Sequence, residues 1–198
     1  MTGKMKLYIG LLVLGVVAIG IGVWMLVKSP PRIDIPEEPP VIYEQLDYIM
    51  RGEFKYLYIY EDGSIIYIEE KGLRLPMPGH PATRTWMTGE FTPEQLDSLV
   101  AYFENSGLDK LDEHYLFLGE PSEGGSITRG DMDFTISIDS ENLSKTVTAS
   151  GYLTPDGGNT YPDMPSPLNE IYTKLKNIAE TETEEVYHES IQSALSWD

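Results

Sequence analysis

Tyrosine is the residue type whose spacing in this chain most clearly favours a chemical role. Tyr56, Tyr58 and Tyr60 alternate within the segment FKYLYIY, and Tyr67 follows in the apolar segment IIYIEE. Alternate residues of a β-strand lie on one face, so the rings of the first segment share a face. A tyrosine ring is a rigid apolar plate with a hydroxyl at its tip, which suits recognition of a protein or a glycan. These four tyrosines are the predicted binding residues, and packing of the rings beneath long loops is the alternative.

The sequence lacks the residue combinations that are typical of the common catalytic and metal sites. It has no cysteine, which excludes thiol nucleophiles, thiolate metal sites and disulfides. Its three histidines, His80, His114 and His188, are far apart along the chain, and it has neither a nucleophile elbow nor a phosphate-binding loop. We therefore expect that the chain is not an enzyme and that it has no cofactor and no metal site. A hydrolase that uses paired carboxylates stays an alternative, because the chain has 32 acidic residues.

Two acidic segments contain the oxygen ligands that calcium prefers. Asp131 and Asp133 form one of them, and Asp156, Asn159 and Asp163 form the other. Neither segment has the glycine and glutamate spacing of an EF-hand. Solvated surface charge is the preferred interpretation, and weak calcium binding is the alternative.

Asn142 begins the sequence Asn-Leu-Ser, which is a glycosylation acceptor motif. It falls at the predicted tip of a hairpin, where it would be accessible to a modifying enzyme. Asn142 is therefore a glycosylation candidate if the host modifies exported chains.

The strongest signal for the localisation of the chain lies near its start. Between Leu7 and Val27 the chain has 21 consecutive residues without a charge. A helix of that length spans about 31 Å, which matches the hydrocarbon core of a bilayer. The short basic flank before it is typical of an uncleaved signal anchor, with the N-terminus inside the cell. Residues 1–28 are thus a predicted transmembrane anchor in contact with lipid, and a cleaved signal peptide is the alternative.

The charge of the chain constrains its partners. It has 32 acidic and 14 basic residues and a net charge of -18. Four of the basic residues and none of the acidic ones precede position 33, so the remainder has 10 basic and 32 acidic residues, a net of -22. Such a surface disfavours nucleic acid and attracts basic partners. Residues 29–40 contain five prolines and are predicted to be an extended linker.

Apolar periodicity predicts an α+β domain over residues 41–179, with the order β-β-β-α-β-β-α. Two hairpins, at 54–70 and 132–149, and one further strand at 83–91 would form a mostly antiparallel sheet. Residues 180–198 carry six acidic residues and no basic one and are predicted to be a frayed tail, with a short helix that docks on a partner as the alternative.

Two amphipathic helices are predicted to cover one face of this sheet. The first has a capping box, with Thr92 as its N-cap and Gln95 three residues later, and the second has Ser166 as its cap. If these helices cover the aliphatic face of the first hairpin, which is made by Leu57, Ile59, Ile66 and Ile68, the tyrosine face is left towards solvent or a partner.

A run of features within residues 41–178 resembles small uncharacterised exported prokaryotic α+β domains. In chain order they are a hairpin with Asp62-Gly63, the segment FTPEQL, the pair Gly107-Leu108 followed by Leu111 and Tyr115, the strand FTISI and a closing helix. The pattern is also distantly similar to emfourin-type inhibitors of thermolysin-like metalloproteases. This resemblance implies an exported α+β fold. It adds a protease inhibitor, with contacts in a loop such as 72–82 or 119–130, as an alternative function.

Together these features predict a binding or assembly module without catalytic activity. It would be held in the cell membrane by a single span, with its acidic domain outside the cytoplasm. Its expected partners are the lipid bilayer and a protein.

Overall fold

The computed structural model describes most of one folded domain. The described residues lie, apart from Ile33, in the unit Asp34–Asp198. They are residues 33, 35–48, 52–72, 82–116, 132–152 and 165–191. The helices within these ranges lack the combined length and hydropathy of a membrane span. The helix predicted between Leu7 and Val27 lies outside the described residues.

The described residues form one eight-stranded sheet, two α-helices and a short 3-10 helix. The strands are β1 (Ile42–Tyr48), β2 (Glu53–Ile59), β3 (Ser64–Lys71), β4 (Ala82–Glu90), β5 (His114–Leu116), β6 (Met132–Asp139), β7 (Ser144–Tyr152) and β8 (Glu184–Ile191). The helices are α1 (Pro93–Asn105), α2 (Ser166–Thr181) and the 3-10 helix Leu108–Lys110. The strands lie side by side in the order β5-β7-β6-β1-β2-β3-β4-β8.

The predicted fold class is wrong in its element order and in its sheet. The observed order of strands and α-helices is β-β-β-β-α-β-β-β-α-β. The sheet is mixed, because β5 pairs with β7 in parallel while the other neighbours are antiparallel. The prediction of two hairpins and one strand lacks β1, β5 and β8. With only three residues, β5 is too short to produce a periodic signal.

The polar residues of the central strand β1 prevent its recognition as a strand from the sequence. It pairs with β2 on one side and with β6 on the other. Its inward-facing set includes Glu44 between Ile42 and Leu46, and this carboxyl interrupts the apolar alternation by which a strand is recognised. Pairing on both sides therefore stabilises a strand that local sequence does not predict.

The edge strand β8 lies within the segment that the sequence assigns to an acidic tail. Its sequence, EEVYHESI, has three glutamates and few apolar residues, a composition typical of a solvated segment. Pairing with β4 supplies its backbone hydrogen bonds. An ion pair between Arg84 and Glu189 links the two strands. The neighbouring strand thus decides the structure of this segment.

The two helices begin in different ways. Thr92 caps α1 as predicted: the Gln95 backbone N–H donates to Thr92 Oγ1 at 3.3 Å, and the Thr92 backbone N–H donates to Gln95 Oε1 at 2.8 Å. For α2 the predicted cap is wrong. Its N-cap is Pro165, which makes no side-chain capping bond, and the Ser166 hydroxyl donates to Glu170 instead. Packing rather than capping therefore stabilises the start of α2.

Both α-helices pack on one face of the sheet, which we call the helix face. Its apolar core joins the sheet to the buried sides of the helices. The sheet contributes residues such as Ile42, Leu57, Phe134, Ile136 and Val147. The helices contribute residues such as Leu99, Phe103, Leu168, Ile171 and Leu175. The opposite face, which we call the open face, carries the alternate residues of the same strands.

The predicted aliphatic face is wrong for β3. Ile66 pairs with Tyr58, and Ile68 pairs with Tyr56, so both isoleucines lie on the open face beside the tyrosines. Ile65 pairs with Ile59 and faces the helices instead. Consecutive residues of a strand face opposite sides, so only the register could decide which isoleucine belongs to the core.

Candidate binding surface on the open face

A continuous set of large side chains crosses the open face from β1 to β8. We call it the aromatic surface, and it consists of Tyr43, Tyr56, Tyr58, Ile66, Ile68, Trp86 and Tyr187. Ile66 and Ile68 are only 4% and 6% exposed, whereas the aromatic rings around them are half-buried. The rings therefore cover the two isoleucines and present their own outer edges.

The tyrosines at one end of the aromatic surface are in mutual contact. The ring centroids of Tyr43 and Tyr58 lie 5.2 Å apart, and those of Tyr58 and Tyr60 lie 6.5 Å apart. The Tyr43 hydroxyl donates to Gln45 Oε1 at 2.7 Å, and the Gln45 amide donates in turn to the Asp47 carboxylate at 3.2 Å. These bonds along β1 fix the orientation of the Tyr43 ring.

A charged cluster holds the other end of the aromatic surface. Arg84 Nε donates to Glu70 Oε1 at 2.6 Å, and Arg84 Nη1 lies 3.4 Å from Glu189 Oε1. Glu189 also accepts from the Trp86 indole N–H at 3.3 Å, and the Arg84 guanidinium lies 5.8 Å from the centroid of the Trp86 ring. The cluster connects β3, β4 and β8. It therefore positions Trp86 and the edge strand together.

The electrostatic environment keeps the phenols of this face neutral. Burial, followed by the charges of Glu70 and Asp47, raises the pKa of Tyr56 to about 12. Burial and the charge of Glu70 raise the pKa of Tyr58, and burial is also the main reason that the pKa of Tyr43 is raised. Neutral phenols donate hydrogen bonds, and the neighbouring carboxylates make the potential of the surface negative.

A groove of about 440 Å³ lies beside Tyr43 and Tyr58. The lining residues are Pro39, Pro40, Tyr43, Tyr58, Ser137, Asp139 and Ser144. Apolar rings thus form its walls, hydroxyl groups and a carboxylate provide its polar groups, and the lining has no basic residue. A groove of this kind suits an apolar or cationic side chain of a partner.

The structure brings together three of the four predicted binding tyrosines. Tyr56 and Tyr58 lie on the open face, and Tyr60 follows the end of β2, where it is 4% exposed and stacks on Tyr58. Tyr67 pairs with Leu57 and lies on the helix face, where burial raises its pKa. Sequence reasoning missed Trp86 and Tyr187, because cross-strand register rather than local spacing brings them to this surface.

The other predicted sites are placed as follows. Asn142 is exposed in the turn between β6 and β7, and its side-chain amide donates to Glu104 at 3.2 Å. Asp133 accepts from the Gly151 backbone N–H, while its predicted calcium partner Asp131 and the segment 156–163 lie outside the described residues. Within the described ranges, no three acidic or histidine side chains are grouped to hold a metal ion.

The two alternative functions are a protease inhibitor and a hydrolase with paired carboxylates, and the described residues include a candidate group only for the hydrolase. The loops predicted to contact a protease lie almost wholly outside the described residues, so that idea stays a prediction. For the hydrolase, burial raises the pKa of Glu44 to about 8, but the cavity beside this carboxyl measures about 20 Å³. Such a cavity has room for one water molecule and none for a substrate.

Comparisons with known proteins add no identity to this geometry. The chain matches no protein-family model, and no curated protein matches it significantly. The aromatic surface is therefore the feature that indicates a function.

Proposed function

We propose that this chain is a membrane-anchored, extracytoplasmic binding module without catalytic activity, and that its open face docks a partner protein. The observation that carries the proposal is the aromatic surface, which lies on the sheet face opposite both described α-helices. Half-buried tyrosine and tryptophan rings are typical of the centres of protein interfaces. The uncharged segment between Leu7 and Val27 supplies the proposed anchor.

The charge of the open face favours a partner with basic residues. The described strands place several carboxylates on it, among them those of Asp47, Glu70, Asp133, Asp139 and Glu189. In the same described strands, Arg84 supplies the opposing positive charge and is already paired with Glu70 and Glu189. Lysine or arginine side chains of a partner would find carboxylates at the edge of the face and aromatic rings at its centre.

Site-specific photo-crosslinking in native membranes tests this proposal. A photoreactive residue replaces Tyr56 on the open face, or, as the matched control, the half-buried Tyr102 on α1. We expect position 56 to crosslink one protein, with a yield that falls as salt is raised, and position 102 not to crosslink it. Equal crosslinking from both positions, or none from position 56, would contradict the proposal.

A further inference from the structure

Glu44 is a carboxyl group in the interior of the domain. It lies on the central strand β1, with Leu57 and Ile136 as its cross-strand neighbours on the helix face. The residue is 6% exposed, and its Oε1 atom has no hydrogen-bond partner among the described residues. An ionised carboxylate in such a place is strongly destabilising, whereas the protonated acid is tolerated.

The cavity of about 20 Å³ beside Glu44 lies between the sheet and α2. Lys55 and Tyr67 line it from the sheet, and Tyr172, Lys176 and Glu180 line it from α2. The carboxyl group is therefore covered by this one helix, and it gains access to bulk water when α2 moves away from the sheet.

The groups that face Glu44 do not offset the effect of burial on its pKa. The β2 side provides Lys55, whose ammonium is 3.4 Å from Glu69 and lowers the pKa of Glu44. The β3 side provides the neutral Tyr67, and the β6 side provides Ile136. On α2, Lys176 and Glu180 carry opposite charges at the cavity wall. Burial outweighs these effects, so that the pKa of Glu44 rises from 4.5 to about 8.

We propose that Glu44 is a proton-binding site that couples pH to the docking of α2: its proton holds the helix on the sheet, and loss of the proton loosens it. The proposal concerns the helix face and does not depend on what binds the open face.

The movement of α2 is passed on to β8 through a tight connection. Only Glu182 and Thr183 separate the two elements. Gly89 of β4 lies so close to the Glu182 backbone that an added Cβ atom would clash with the Glu182 carbonyl oxygen. Loosening of α2 therefore loosens the anchorage of β8, which carries Tyr187 and Glu189.

The direction of the pH effect follows from proton linkage. Glu44 titrates near 4.5 when exposed and near 8 when covered, so opening releases a proton between these values. The opening equilibrium then rises about tenfold per pH unit from near pH 5 to near pH 8 and is constant above. Acid conditions hold the helix closed.

Hydrogen exchange of the full chain in detergent micelles tests the proposal. We compare the protection of α2 and β8 at pH 5.5 and 7.5, corrected for intrinsic exchange, with α1 as the internal reference. We expect α2 to lose up to about 100-fold in protection over these two pH units. In Glu44→Gln, protection should be the same at both values. Equal protection of α2 at both values in the wild-type chain would overturn the proposal.

Two control variants show whether Glu44 is the responsible group. Glu180→Gln removes the other carboxyl that lines the cavity, and His188→Gln removes the imidazole side chain of β8. Both should keep the pH dependence. If the pH dependence persisted in Glu44→Gln, or were lost in either control, a group other than Glu44 would be responsible and the proposal would be refuted.

A direct titration covers the case in which Glu44→Gln does not fold. Carbon-13 NMR of the wild-type chain follows the assigned Glu44 carboxyl carbon as pH is raised. A midpoint near 8 supports the proposal, and a midpoint below about 5 overturns it, since that is the value of an exposed glutamate.

Discussion

The two faces of the sheet both carry tyrosine and isoleucine, but they use them differently. On the helix face, Ile136 and Tyr67 contribute to the layer between sheet and helices, where burial disfavours the ionised form of Glu44. On the open face, Ile66 lies beneath aromatic rings, and Arg84 is held by carboxylates. The helix face is organised by exclusion of water, and the open face by pairing of polar and aromatic groups. We infer that the first maintains the fold and the second meets a partner.

A matched pair of isoleucines gives the largest test of this comparison. Ile136→Ala on the helix face should lower the free energy of unfolding by about 4 kcal/mol, because it leaves a cavity in a rigid core. Ile66→Ala on the open face should cost about 2 kcal/mol, because the tyrosine rings above it can move inward. Urea denaturation of the full chain in micelles measures both. A larger loss for Ile66→Ala would contradict the assignment of the faces.

The buried carboxyl group of Glu44 gives the next largest expected effect, which is a change of stability with pH. The difference in free energy of unfolding between Glu44→Gln and wild type should shift in favour of the variant by about 1.4 kcal/mol per pH unit as pH rises from 4.5 towards 8. The sign follows because the folded chain keeps a proton that the unfolded chain has lost, so wild-type stability falls over this window. Denaturation of both proteins at pH 5 and 7 checks it, and a constant difference would refute it.

The connection between α2 and β8 can be broken from β4. Gly89→Ala should destabilise the domain by about 2 kcal/mol, because the new methyl group must displace the Glu182 backbone. Hydrogen exchange should rise in β8 more than in β6, which lies on the other side of β1. Equal changes in β6 and β8 would show that the effect is global and does not arise at this contact.

The smallest effect concerns the ion pairs of the edge strand. Arg84→Ala should cost about 1 kcal/mol, since the guanidinium is partly exposed and its ion pairs are screened. Its consequence should be confined to exchange of β8 amides and to the environment of Trp86. Lys71→Ala removes the exposed partner of Glu69 and serves as the control that leaves β8 unchanged. A similar increase in the exchange of β8 amides in both variants would show that the ion pairs of Arg84 do not hold β8 in place.

Local signals in the sequence predict some of these features. The capping box of Thr92 and Gln95 is a contact between neighbours in the chain, so it is visible without the fold. The alternation of Tyr56 and Tyr58 likewise places both rings on one face. The strand β8 is different, because its glutamates suggest a tail and only β4 turns it into a strand.

The candidate surface depends on contacts between distant residues, which explains why only part of it was predictable. Tyr67 follows Tyr56 and Tyr58 closely in the sequence, yet the register turns it towards the helices. Trp86 and Tyr187 are about a hundred residues apart and meet only because β8 returns to β4. The burial of Glu44 is invisible for the same reason, since it requires α2 to cover β1.

We propose that a partner docks on the open face and not on the helix face. The most direct measurement is the amount of a protein that co-purifies with the full chain from native membranes, compared among variants. We expect that Tyr58→Ala combined with Trp86→Ala abolishes its recovery, while Tyr102→Ala on α1 retains the same protein. Undiminished recovery with the double variant, or equal loss with Tyr102→Ala, would show that the open face does not dock this protein.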